Sequence, residues 1–210
     1  MIPHVRRGRL ITVEGVDGAG KTTLVEALAR ALPRDVRVLR EPGGVELSER
    51  IRALVKDPGL EVDPRAEALL YAAARAQLVA ERIEPLLAAG EWVLLDRFVD
   101  SSLAYQGAGR GLGIEQVRSL NRFATGGLVP DRTLLLRIDA GAGLARAGGR
   151  GEGVDRLERE QVAFFDAVAA AYDELAAAEP ERFVAIDAAQ PPDAVLAACV
   201  AALAPLLQSP

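Results

Sequence analysis

Five scarcities in this 210-residue sequence are informative. Cysteine occurs once, at Cys199, which excludes an intramolecular disulfide and a cysteine-rich metal site. Histidine also occurs once, at His4 in the N-terminal extension, which is consistent with chemistry built on positioning and charge neutralisation. Aromatic residues make up only 4% while apolar residues reach 50%, so the core must be built mainly from Ala, Leu and Val. Long hydrophobic runs are missing too. The stretch from Ala194 to Leu207 is broken by Pro205 and is too short to span a bilayer, so no membrane partner is expected.

Lysine is nearly absent: Lys21 and Lys56 are the only two among 25 basic residues. A lysine kept at position 21 in a chain that otherwise uses arginine points to a need for a compact ammonium rather than a planar fork. The formal net charge of -5 lacks the basic footprint of a bulk nucleic-acid binder, so a polyanionic substrate would rely on locally placed arginines. The segment from Met1 to Arg9 is short and basic and leads into strand-like residues rather than a signal-peptide apolar core, which favours a cytoplasmic address. The length suits one α/β domain over 1–210, with room for a small mobile insertion.

Strand and helix signals alternate along the chain. Apolar runs at Leu10–Val13, Val36–Leu39, Trp92–Leu95, Thr133–Leu136 and Phe183–Ile186 read as strands. Helical patterns cover Lys21–Leu32, Glu46–Val55, Pro64–Ala89, Ile114–Thr125, Asp155–Ala178 and Pro192–Leu207, with a loop expected between Asp96 and Ile114. Pro64 suits a first helical position and Gly90 a helix stop. Gly148–Gly153 reads as a flexible, glycine-rich loop. Strands separated by helices predict a five-stranded parallel sheet covered on both faces, with ligands collecting beyond the carboxyl ends of the strands. Those ends carry Glu14, Arg40-Glu41, Asp96-Arg97, Asp139 and Asp187.

Gly15-Val16-Asp17-Gly18-Ala19-Gly20-Lys21-Thr22 fits the phosphate-binding pattern G-x-x-x-x-G-K-[ST], with a strand before it and a helix after it. Its glycines let backbone N–H groups curl around phosphate oxygens, and the following helix adds its positive dipole end. Lys21 would reach the β- and γ-phosphates, and Thr22 would place a hydroxyl on Mg²⁺. Such loops serve switches, motors and kinases alike. A guanine-reading Asn-Lys-x-Asp is absent, which argues against a GTPase switch, and nothing suggests a motor's nucleic-acid surface.

The second substrate must therefore decide. Asp96 closes an apolar strand, where a carboxylate near Mg²⁺ is expected, and Arg97 beside it suits an anion. Tyr71 and Arg75 lie one helical turn apart; the pair suits base stacking and hydrogen bonding, and equally a packed ring with a solvated arginine stem. Arg146 and Arg150, in or beside the glycine-rich stretch, suit a lid over a transferring phosphoryl group. A nucleoside monophosphate is largely ionised at neutral pH, its second pKa lying near about 6, so no general base is required.

Together these segments resemble bacterial thymidylate kinases over nearly the whole chain. The resemblance runs through Ile11–Thr23, Arg40-Glu41-Pro42-Gly43-Gly44, Tyr71–Arg75, Asp96-Arg97, Asp100–Gly107, Asp155–Glu158 and Ile186–Pro191. The Arg-Glu-Pro-Gly-Gly and Tyr-Gln-Gly segments are the specific ones. The resemblance implies a three-layer α/β/α P-loop fold with a small lid at about 146–155, and transfer of the ATP γ-phosphoryl group to dTMP with Mg²⁺, in a homodimer. It implies that the loop through Thr23 binds ATP and that Thr22 and Asp96 serve the metal. Tyr71 would stack on thymine, Arg75 would bond a base carbonyl, and Ser102 and Gln106 would line the base and sugar pocket. Tyr105 would crowd a ribose 2′-OH, and Asp17 would accept from the 3′-OH. Arg97 and Arg52 would hold the monophosphate near Glu41, Arg150 would be the lid arginine, and Ala188–Gln190 would lie by the adenine. The stacking position is often Phe in the family and is Tyr71 here, and the lid is short of basic residues. A kinase for another nucleotide or deoxynucleoside, and a nucleotide-binding regulatory module, are the alternatives that turnover assays separate.

Overall fold

A computed structural model describes residues 6–148, 156–157 and 160–208. His4, Arg150, Asp155 and Glu158 lie outside the described residues. Five parallel strands form one sheet: β1 (Leu10–Glu14), β2 (Val36–Arg40), β3 (Trp92–Asp96), β4 (Arg132–Arg137) and β5 (Phe183–Asp187), in the order β2-β3-β1-β4-β5. Every strand run expected from sequence is present, within a residue or two at its ends.

Side-chain alternation along these strands divides the core into two halves. Ile11 and Val13 on β1 and Leu94 on β3 join Leu28, Phe165, Val168 and Cys199 on one face. Leu10 on β1 and Val93 and Leu95 on β3 join Leu78, Ile83 and Phe98 on the other. Helices α1 (Lys21–Ala31), α8 (Val162–Ala178) and α9 (Pro192–Gln208) supply the first half. The second rests on α3 (Pro64–Leu78), its π-helical continuation Val79–Ile83 and α4 (Glu84–Ala88). The sheet is thus covered on both faces, giving the expected three-layer α/β/α P-loop arrangement. All of β1 is buried; its lone hydroxyl, Thr12, bonds Thr133 on β4 at 2.8 Å, which satisfies both buried groups.

Two expectations are corrected, and one further helix is found where no element was expected. The segment after Asp96 is not a loop: α5 (Val99–Ser102) runs directly into a π-helical stretch, Leu103–Gly109, before α6 (Ile114–Ala124). Its glycines and serines have low helix propensity, and packing against α6 and α8 overrides it. Helix α7 (Ala140–Gly148) precedes the glycine-rich stretch, capped where Asp139 Oδ1 accepts the Ala142 N–H at 2.9 Å. The helix expected from Asp155 starts only at Val162, with a turn at Arg156-Leu157 before it. By contrast the Pro64–Ala89 helix is continuous. Asp63 caps it through the Arg65 N–H, a π-turn precedes the internal Pro85, and Gly90, with φ 81°, ends it. Helix α2 (Glu46–Lys56) packs on α3.

Candidate active site

The carboxyl ends of β1 and β3 converge on the phosphate-binding loop. Gly20, the residue before α1, has φ 92°, a left-handed conformation that favours glycine. Lys21 curls back to donate to the carbonyls of Gly15 at 3.0 Å and Val16 at 2.8 Å. Burial first, and the neighbouring Arg97 charge second, push its ammonium down to about 8. Thr22 Oγ1 donates to Asp96 Oδ2 at 2.8 Å, so the hydroxyl and carboxylate expected around Mg²⁺ meet where the first turn of α1 faces the end of β3. One carboxylate and one hydroxyl, completed by substrate phosphates and water, is an oxygen set that Mg²⁺ accepts. No cluster of three or more His, Cys, Asp or Glu capable of holding a metal occurs among the described residues.

Arg97 follows β3 with φ 69°, an unusual value for a side-chain-bearing residue. The turn is held from both sides: its own N–H donates to Val13 O at 3.1 Å, and the Phe98 N–H donates to Glu14 Oε1 at 2.7 Å. Its guanidinium donates to Asp17 at 2.6 Å, Gly15 O at 3.1 Å, Ser101 Oγ at 3.1 Å and Tyr105 Oη at 3.2 Å. Tyr105 in turn donates to Asp17 Oδ2 at 2.8 Å. Burial alone would raise the Asp17 carboxyl, but Arg97 and Lys21 outweigh it and hold it well below the usual carboxylate range.

Arg75 is only 2% exposed, which overturns the solvated-stem alternative. It donates to Glu41 Oε2 at 2.7 Å, Ser102 Oγ at 2.9 Å, Phe98 O at 3.0 Å and Asn121 Oδ1. Glu41, whose bond to Pro42 is cis, keeps its other oxygen buried with no partner among the described residues. A molecule or water in the cleft would satisfy it. Burial outweighs Arg75 and pushes this carboxyl up to about 7. Tyr71 packs on the small apolar cluster of Ile51, Val55 and Ala74, and Arg52 donates to Pro42 O at 2.9 Å.

These groups line one cleft of about 490 Å³. It gathers Asp17, Gly18, Gly20, Lys21, Thr22, Thr23, Glu41, Arg52, Tyr71, Arg75, Asp96, Arg97, Ser102, Tyr105 and Gln106, with Arg146 at the α7 side. Gly15 and Val16 line a neighbouring cavity, and Ala19 is buried within the loop. Arg146 donates to Ala188 O at 3.1 Å, which ties an arginine expected over the transferring phosphoryl group to the segment expected near adenine. Arg150, the expected lid arginine, lies outside the described residues.

Several positioning groups carry no role legible in the sequence. Glu14 is buried at the end of β1 and accepts from Phe98 N, Ser101 Oγ at 2.6 Å and Tyr172 Oη at 2.9 Å. Asp100 is gripped by both terminal nitrogens of Arg182, at 2.7 and 2.9 Å. Glu67 and Asn121 hold Gln106 and Arg75 respectively. Glu14 and Asp100 sit inside the quoted segments. Glu67 reads from sequence only as an acidic residue in a first helical turn, and Asn121 carries no signal.

A phosphate loop on the central parallel strand, facing an arginine-lined cleft of nucleotide size, defines the class of P-loop nucleotide kinases. A family model described as thymidylate kinase matches residues 13–198. The chain belongs to the thymidylate kinase family. It is similar to a thymidylate kinase of Latilactobacillus sakei at 50% identity, covering 94% of this chain and 95% of that protein. A thymidylate kinase of Deinococcus radiodurans is 50% identical over 89% of this chain and 92% of its own length. The crystal structure of thymidylate kinase from Ehrlichia chaffeensis superposes with a TM-score of 0.77 at 28% identity, covering 94% of this chain and 99% of that one.

Proposed function

We propose that this cleft transfers the γ-phosphoryl group of ATP to dTMP with Mg²⁺, giving ADP and dTDP for dTTP synthesis. As a thymidylate kinase the chain is an ATP-dependent phosphotransferase, and the observation that carries the residue-level reading is the geometry around Arg97. Its fork is fixed by a left-handed turn beside the phosphate loop, where an acceptor phosphate and the γ-phosphate would come together. An ionised monophosphate needs no base to attack, so the work falls to positioning and charge neutralisation. Lys21 exchanges its loop carbonyls for β- and γ-phosphate oxygens. Arg97 and Arg52 hold the acceptor phosphate, while Asp17 turns to the 3′-OH. Tyr71 stacks on thymine, and Arg75, Ser102 and Gln106 read its edge. Tyr105, clamped by Asp17 and Arg97, leaves little room for a 2′-OH.

Thr22 and Asp96 would hold Mg²⁺, which would neutralise charge on the phosphates. Arg146 and Arg150, in a lid at about 146–155, supply further positive charge as the site closes. A homodimer is supported by exposed apolar side chains on helices that pack together: Leu47 and Leu54 on α2, Leu69 on α3 and Phe123, 90% exposed, on α6. No described helix is long and apolar enough to cross a membrane, and a cytoplasmic setting fits the single reduced, buried Cys199.

The test is ADP release from ATP·Mg²⁺ with dTMP, dUMP, dCMP, dGMP, dAMP and thymidine as separate acceptors, beside Arg97→Ala. Preference for dTMP, lost in the variant, is the expected outcome. Preference for another acceptor would overturn the thymine pocket and leave the kinase; ATP binding without turnover would favour a regulatory module.

A further inference from the structure

Glu67, in the first turn of α3, touches none of the groups expected to meet phosphate, yet its side chain is fully buried. Both of its oxygens are filled with donors. Oε1 accepts from Gln106 Nε2 at 2.8 Å and from Arg110 Nε at 3.3 Å. Oε2 accepts from Arg110 Nη2 at 3.2 Å and from Arg156 Nη2. Arg110 is further paired with Glu160, so the cluster of two arginines and two glutamates is neutral. A carboxylate so placed can only accept, and it dictates which end of the Gln106 amide faces it. The NH₂ group must point to Glu67, and the carbonyl oxygen is the opposite end of the same amide.

Gln106 lines the cleft beside Arg75 and Ser102. Arg75 has donors only. Ser102 Oγ accepts one of them at 2.9 Å, which leaves the Ser102 proton to donate elsewhere. Four of the five Arg75 N–H groups are engaged by protein, so the wall of the cleft is polarised by the one remaining Arg75 N–H and the Ser102 hydroxyl as donors and by the Gln106 carbonyl as acceptor. Thymine and uracil present the matching edge, a carbonyl oxygen beside an N–H. Cytosine presents the reverse, an amino group beside a bare ring nitrogen. We infer that Glu67 is a positioning residue for base selection, which locks the Gln106 amide so that its carbonyl oxygen selects a pyrimidine with a ring N–H over cytosine. This rests on the reading of the cleft as the dTMP site.

The experiment is Glu67→Gln, which keeps size and removes the acceptor-only character, beside Glu67→Asp, which keeps that character. Dissociation constants and kcat/KM are measured for dTMP and dCMP. In Glu67→Gln the amide at 106 is free to flip, and the selectivity for dTMP over dCMP should fall by at least about tenfold, the scale of one hydrogen bond exchanged for a mismatch. The loss should appear in binding and KM more than in kcat, while Glu67→Asp retains the selectivity. Weakening of both nucleotides in equal proportion would overturn the inference and leave Glu67 a purely structural anchor. Because a neutral residue here leaves two arginines short of one carboxylate, a measurement on the unaltered protein runs alongside. The Gln106 side-chain amide protons, assigned by their loss in Gln106→Met, should resist solvent exchange with and without dTMP. Rapid exchange in either state would also overturn the inference. If the unaltered protein binds ATP but not dTMP, the acceptor reading fails instead, and the ligand-free exchange result still decides the Glu67–Gln106 contact.

Discussion

Arg97 draws its geometry from backbone and its chemistry from a fork of nitrogens. Asp17, Ser101 and Tyr105 occupy that fork, so a replacement must supply both charge and breadth. Arg97→Lys keeps the charge and loses the paired contacts. It should lower kcat by about 10²–10³, the scale of one lost transition-state donor set, measured by ADP release at saturating dTMP; activity within a few-fold of the parent would show that charge alone suffices. Glu14 tests the opposite property, the cost of a buried acid. Burial first, and the nearby Asp100 second, push its carboxyl up from 4.5 to about 7. Because the folded state holds this proton more tightly than the unfolded chain, the resulting stability is full below about pH 4.5 and is lost as pH rises to about 7. Glu14→Gln should therefore flatten the dependence of the urea midpoint on pH across that window. An unchanged slope would assign the dependence to other groups.

At the scale of elements, close approach matters more than composition. A Cβ on Gly143 of α7 would lie 2.6 Å from the backbone carbonyl of Asp17 and 3.3 Å from Val16 Cγ2, so α7 seats against the phosphate loop only because position 143 is bare. Gly143→Ala should push α7, with Arg146 on it, away from the loop. Overpacking of this kind costs about 1–3 kcal/mol, and here it should raise KM for ATP more than KM for dTMP in steady-state kinetics. This contact also marks the limit of what the sequence disclosed. The strands and the phosphate loop were legible because each is local: an apolar run of the right length, or a loop whose glycines and lysine have fixed spacing. The stretch from Val99 to Gly109 was not, because its glycines and serines signal a loop while α6 and α8 hold it helical. The same holds for the burial of Arg75, whose partners lie 23 to 46 residues away in sequence, and for Glu67, whose four donor contacts come from the distant positions 106, 110 and 156. Residues expected to touch a ligand were named from motif, spacing and the family resemblance; those that orient them depend on tertiary contacts that no local pattern records.

For the whole molecule, the formal charge of -5 coexists with a cleft that concentrates Arg40, Arg52, Arg75, Arg97 and Arg146. An anionic substrate is thus drawn by a local field rather than by net charge. The exposed apolar side chains on α2, α3 and α6 belong to another part of the surface budget. Sedimentation equilibrium should give twice the 22.2 kDa chain mass, and Leu69→Asp should shift the balance toward monomer; a monomer in the unaltered protein would set the dimer aside.

The place of β1 in the sheet has one more consequence. It is the middle strand, paired with β3 on one edge and β4 on the other, and wholly covered above and below. Its amide protons should be among the last to exchange with deuterium, since they open only when most of the sheet does. The phosphate loop grows directly from that strand, so a loop expected to yield to each incoming nucleotide is hung on a strand expected to be among the last to open. Catalytic turnover and global unfolding are therefore separated in time: the loop can rearrange in every cycle without the chain approaching its unfolded ensemble.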